Sequence, residues 1–169
     1  MSRDAATSRS ISTKKRWNTI LKATLIAGSL DIVAALLMFF IKTEKNPVLV
    51  LKYIASAVMG KSAYSDGFMM PLLGLIFHFL VAFAWATIFF FLYPRIKTVI
   101  KHSIVAGLLY GIAVWLAMNL LVLPLTQLPK ASFTLSQALI GMVVLMLAIG
   151  LPIALIVANY YRRSKALSN

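Results

Sequence analysis

ILKATLIAGSLDIVAALLMFFI, residues 20–41, is an apolar run whose only charged members are Lys22 and Asp31. Coiled as an α-helix at about 1.5 Å per residue, it reaches the ~30 Å needed to cross a hydrocarbon core. Lys22 lies close enough to one end to snorkel to the interface. Three more runs of this kind follow, at about 70–93, 103–123 and 135–161. Hydrophobic residues make up 61% of the 169-residue chain and charged residues 12%, about half the charged share of a soluble domain. The pattern defines an all-α membrane protein, a four-transmembrane-helix bundle spanning residues 17–163.

Local signals set the ends of these spans. Pro71 suits the first turn of the second span, and Tyr93-Pro94 is expected to close it. Pro124 and Pro129 interrupt the third, and Pro152 is expected to kink the fourth. Between the first two spans, residues 47–59 are apolar except for Lys52 and Ser56. Asn46 is suited to N-cap this segment, Pro47 to its first helical position and Gly60 to its C-terminal end. Thirteen helical residues reach only about 20 Å, so the segment reads as a short interfacial helix in the first external loop, with Lys52 and Ser56 as its polar stripe. Residues 1–16, rich in Ser, Thr, Lys and Arg, read as a disordered basic cytoplasmic tail, and 164–169 as a second cytoplasmic tail. A secretory signal is the competing reading of the start. The first apolar run is long for one, contains Asp31 and is followed by no A-x-A cleavage site, which favours an uncleaved helix.

Seventeen Lys and Arg against four Asp and Glu give a net charge of +13. The cations flank the apolar runs. Twelve fall on one side: Arg3, Arg9, Lys14, Lys15, Arg16, Lys22, Arg95, Lys97, Lys101, Arg162, Arg163 and Lys165. Five fall on the other: Lys42, Lys45, Lys52, Lys61 and Lys130, accompanied by Glu44 and Asp66. The richer side reads as cytoplasmic, placing both termini inside. Tyr93, Tyr160 and Tyr161 stand where an inner aromatic belt would lie. Basic ends of this kind attract anionic lipid headgroups, and no basic stripe falls on a soluble module that would bind nucleic acid. There is no cysteine, and His78 and His102 lie on separate segments, so neither a metal nor another cofactor is expected. His102, beside Lys101, reads as exposed at the interface. Phe89-Phe90-Phe91 reads as facing lipid, and Met69, Met70 and Met118 as adaptable packing.

Three polar residues lie inside the spans. Asp31 shares a face with Thr24, Ala27, Gly28, Ala34 and Ala35, small residues that pack against a neighbouring helix. A carboxylate at that depth costs several kcal/mol unless it is paired, hydrated or protonated. His78 recurs with Gly74, Ala82 and Ala86 at a spacing of four, and Asn119 with Gly107, Gly111 and Trp115. The fourth span offers Gln137, Gly141, Ala148 and Pro152. Counted from the outer ends, Asp31 lies about 15 Å deep, His78 about 10 Å and Asn119 about 6 Å. They are expected to form a polar track, with Asp31 as the carboxylate, His78 as its titrating partner and Asn119 as a hydrogen-bond orienter. The bland alternative is interhelical glue worth about 1 kcal/mol per group. Gly28, Gly74, Gly107, Gly111 and Gly141 are the expected close-packing positions.

Two stretches carry a resemblance: FHFLVAFAWATIFFFLYPRIK (77–97) and AGLLYGIAVWLAMNLLVLPLTQLP (106–129). A His-bearing helix, an aromatic–Pro–basic turn, an AGLL-x-G helix and a VLPL break resemble the YagU-like family of bacterial inner-membrane proteins. The resemblance covers about a third of the chain. It implies a bacterial inner-membrane location and, if any residue carries over, His78. The first external connection is shorter than in that family, and the fourth span lacks its His or acidic residue. Two functional readings follow. One is a small-solute or proton-responsive transport or binding element built on Asp31 and His78, as a homo-oligomer, since four spans are few for a transporter built from internal repeats. The other is a structural subunit that docks a membrane partner protein. No nucleophile, nucleotide loop or metal cage points to an enzyme.

Overall fold

The computed structural model describes residues 3–65, 67–127 and 134–166. Among them the order is α1 (Arg3–Thr43), α2 (Val48–Met59) with a 3₁₀ turn (Gly60–Tyr64), and α3 (Met69–Val99). Then come α4 (Ser103–Ala117), α5 (Leu135–Leu145) and α6 (Leu151–Ala166). A π segment (Met118–Val122) and a 3₁₀ turn (Leu123–Leu125) prolong α4, and a second π segment (Met146–Gly150) joins α5 to α6. Four stretches are long and apolar enough to cross a membrane: Thr13–Thr43, Met69–Val99, Ser103–Leu125 and Leu135–Ser164, spans 1 to 4 below. The chain is an all-α four-helix bundle of the multi-pass membrane class. Pro129, Lys130, Asp66 and the extreme ends of the two tails lie outside the described residues.

Several boundaries differ from expectation for identifiable reasons. The tail expected to lack regular structure is helical from Arg3, since no Gly or Pro precedes Gly28 to break the backbone ladder. The second tail likewise begins inside α6, which runs to Ala166. Span 2 does not close at Tyr93-Pro94 but runs through Pro94 to Val99. Proline cannot donate to the carbonyl four residues back, here that of Phe90. The Tyr161 hydroxyl donates to that carbonyl instead, at 3.1 Å. Both π segments lie just ahead of a proline, Pro124 or Pro152, so the disruption expected at Pro152 takes the form of a widened turn.

Span 4 packs against spans 1 and 3, span 1 also against span 2, and spans 2 and 3 touch less extensively. Spans 3 and 4 meet backbone to backbone. A Cβ on Gly107 would stand 2.8 Å from the Ala154 Cβ and 2.9 Å from the Gly150 carbonyl oxygen, and one on Gly111 would fall on the Met146 backbone. Gly150, the partner in this crossing, carries the same small-x-x-x-small signal with Ala154 that marks Gly107 and Gly111. Gly141 is looser, with only the Trp115 indole edge near it, at 3.3 Å.

The core occupies the half of the bundle nearer the termini, and much of it is aromatic. Phe89 and Phe90 are 0% and 1% exposed, against 55% for Phe91. The run therefore does not face lipid as a unit, because three consecutive helical residues sweep about 200° and cannot all share one side. Tyr93 is buried too, rather than standing in an interfacial belt. Its ring lies 5.6 Å from Phe89 and 5.4 Å from Tyr161, while the Phe90 ring lies tilted 5.1 Å from Tyr160. The Tyr110 hydroxyl donates to the Trp85 carbonyl at 2.7 Å, so its polar end is satisfied inside the bundle.

At the other end, α2 starts at Val48, so Pro47 rather than Asn46 stands at the N-cap position, while Gly60 takes the C-terminal place expected of it. The Asn46 side-chain oxygen accepts the Val48 N–H at 3.0 Å, and Gly60 ends the helix at φ +59°, a conformation that favours glycine. Only one half of the expected polar stripe stays in reach of water. Ser56 is buried and donates to the Tyr53 carbonyl at 2.7 Å, while the Lys52 ammonium reaches the Ser65 carbonyl at 2.8 Å. This face packs on span 2, where the Leu51 backbone occupies the space a Cβ on Gly74 would need. Gln127 clamps the free C-terminal carbonyls of α2, its amide donating to Val58 at 3.1 Å and its backbone N–H to Ala57 at 3.2 Å. The short helix is thus bolted to span 2 and to the end of span 3.

Candidate functional site

The apolar stretches 23–41, 69–92, 103–125 and 135–159 hold three ionisable side chains: Asp31, His78 and Tyr110. Tyr110 is spent on Trp85. The other two meet across spans 1 and 2. His78 Nε2 lies 2.8 Å from the Gly28 carbonyl oxygen. A carbonyl can only accept, so Nε2–H is the donor in this contact and Nδ1 is the ring nitrogen left outside it. Asp31 stands one turn beyond Gly28 on the same helix, partly buried, and its charge interacts with the His78 ring. Among the described residues no hydrogen bond or ion pair reaches its carboxyl.

The small residues make this approach possible. Gly28 lets the Phe79 ring lie within 2.8 Å of where a Cβ would stand, and Ala82 fits at 3.3 Å one turn later. Thr24, also buried, returns its hydroxyl to the Ile20 carbonyl of its own helix at 2.9 Å and leaves the crossing unobstructed. The face of span 2 therefore divides its labour. Gly74 receives α2, and the next turns receive span 1.

The polar track is shorter than expected. Asn119 does not join Asp31 and His78, since its amide donates to the Trp115 carbonyl of its own span at 2.8 Å. Span 4 packs against both spans 1 and 3, and an amide in a widened π turn finds its nearest acceptor one turn back. Rather than on the Asp31 carboxyl, His78 spends its hydrogen bond on the Gly28 carbonyl. That acceptor carries no side-chain signal, although Gly28 itself is legible as a packing position. His102 is exposed, as its sequence position implies. Among the described residues no group of three His, Cys, Asp or Glu side chains can hold a metal ion.

No family model, curated protein or solved structure matches the chain. The fold defines its class, a multi-pass helical membrane protein, in which His78 of span 2 bonds the span 1 backbone one turn from Asp31.

Proposed function

We propose that this protein is a proton-responsive binding or transport element of the bacterial inner membrane, with Asp31 and His78 as its titrating couple. One observation carries the reading: His78 is anchored to the Gly28 carbonyl of span 1 at 2.8 Å, beside a carboxylate that nothing else among the described residues satisfies. Ionisable groups at bilayer depth are costly and tend to be kept for ion or proton pathways. Interhelical glue would be expected to spend the Asp31 oxygens on donors, and among the described residues none bonds them. A change of charge on either member alters its attraction to the other, and so the contact between spans 1 and 2. The inner-membrane location and the cytoplasmic termini belong to the same proposal. They rest on the twelve-to-five distribution of cations and on the resemblance carried by residues 77–129.

Reconstitution into liposomes that enclose a pH-sensitive dye tests the transport form. The expected result is a proton or solute-coupled flux that Asp31→Asn and His78→Ala each abolish while insertion and yield are kept. Absence of flux under every imposed gradient removes that form.

A further inference from the structure

A cleft of about 550 Å³ opens between α1 and α2, above the Asp31 turn. That volume lies within the ~300–1,000 Å³ of small-molecule sites. Its walls are apolar, formed by Ala35 and Phe39 of α1 and by Leu49 and Val50 of α2. Its rim carries Thr43, Lys45, Tyr53 and Tyr64. Thr43 is occupied, donating to the Phe39 carbonyl at 2.7 Å and accepting the Lys45 N–H at 3.3 Å. The Lys45 ammonium and the two phenol hydroxyls have no hydrogen-bond partner among the described residues. Burial, helped by the neighbouring Tyr64, pushes the Tyr53 phenol up, so it remains a donor at neutral pH.

The cleft thus offers donors at its rim and an apolar floor beneath them. No acidic side chain lines it, although Glu44 precedes Lys45 in the chain. Phe40, Ile41 and Val48 beside it are 51%, 77% and 39% exposed, so it opens from apolar surface that a bilayer must cover. We infer that the cleft holds one anionic glycerophospholipid of the surrounding leaflet, its phosphate at Lys45 and the two tyrosines, one acyl chain along Ala35 and Phe39. Neither Asp31 nor His78 lines the cleft, so this site stands apart from the proton-responsive couple.

The test uses full-length protein in non-ionic detergent, titrated with dioleoyl-phosphatidylglycerol, with dioleoyl-phosphatidylcholine or with inorganic phosphate. Bound molecules are counted by native mass spectrometry. One phosphatidylglycerol is expected to be retained in preference to phosphatidylcholine, and Lys45→Glu to reduce that preference roughly tenfold. Arg95→Glu, the same charge change at the opposite end, should leave it intact. Val50→Trp, which fills the trough, should expel both lipids, and Lys45→Gln covers misfolding of the reversed charge. Equal retention of the two lipids by the wild type overturns the inference. So does a preference that survives both Lys45→Gln and Val50→Trp, or one lost in Asp31→Asn alone. Displacement of phosphatidylglycerol by millimolar inorganic phosphate would also overturn it, because the headgroup alone would then account for binding.

Discussion

Asp31 and His78 make different physical demands on the bundle. His78 gains a hydrogen bond to a neighbouring span, and such bonds contribute about 0.6 kcal/mol and up to ~1.7 in membrane proteins. Asp31 gains only its attraction to the ring while losing water. The two substitutions should therefore move stability in opposite directions. His78→Ala is expected to destabilise by roughly 1 kcal/mol in thermal unfolding followed in detergent. Asp31→Leu should be neutral or stabilising, because an unsatisfied carboxyl is replaced by a side chain at home in lipid. A clear loss of stability in Asp31→Leu would identify a hidden donor and return the residue to the role of glue.

Helices carry the next layer of consequences, most clearly where proline interrupts them. The Tyr161 hydroxyl stands in for the N–H that Pro94 lacks, capping the Phe90 carbonyl at 3.1 Å. Tyr161→Phe should cost about 1 kcal/mol. In a Pro94→Ala background the restored N–H satisfies Phe90, so the same change should cost less than half as much. A double-mutant cycle on thermal or denaturant unfolding measures the difference. Additive effects would mean that the tyrosine stabilises by ring packing alone. The crossing of spans 3 and 4 makes a second demand. Gly111→Leu has to displace the Met146 backbone rather than a pliant side chain, so it should cost more than Gly141→Leu, which meets only the Trp115 edge. Retained monomer after heating reports the order. Equal losses at the two sites would contradict the crossing.

For the bundle as a whole, the sequence reveals the number of spans and their rough limits, because lipid demands long unbroken apolar runs. The end of α2 at Gly60 was legible for the same kind of reason, since glycine acts there through local backbone geometry, while its start falls one residue later than the sequence suggests. The inward turn of Asp31 and His78 was legible from the small residues at helical spacing beside them. What it did not reveal depends on partners distant in the chain. The Gly28 carbonyl, the Gln127 clamp on α2 and the Tyr161 bond to Phe90 all join segments about 50 to 71 residues apart. Burial of Phe89 and Phe90 was hidden because an apolar residue suits lipid and core equally well. The bundle also fixes a relation between its ends that labelling can check. Because the chain contains no cysteine, single cysteines report without background. With cytoplasmic termini, an impermeant maleimide should label Lys61→Cys on intact cells and Lys101→Cys only after permeabilisation. The reverse pattern would invert the orientation.

A proton-responsive couple requires Asp31 to exchange a proton inside the bundle under the influence of His78. A carbodiimide soluble in the bilayer reacts with carboxyl groups that hold a proton in an apolar setting, and peptide mass spectrometry locates the adduct. Membrane-embedded protein treated across a range of pH should be modified at Asp31 with a pH profile that moves when His78 is replaced by alanine. An Asp31 that never reacts, or a profile that is the same with and without His78, would rule out the couple.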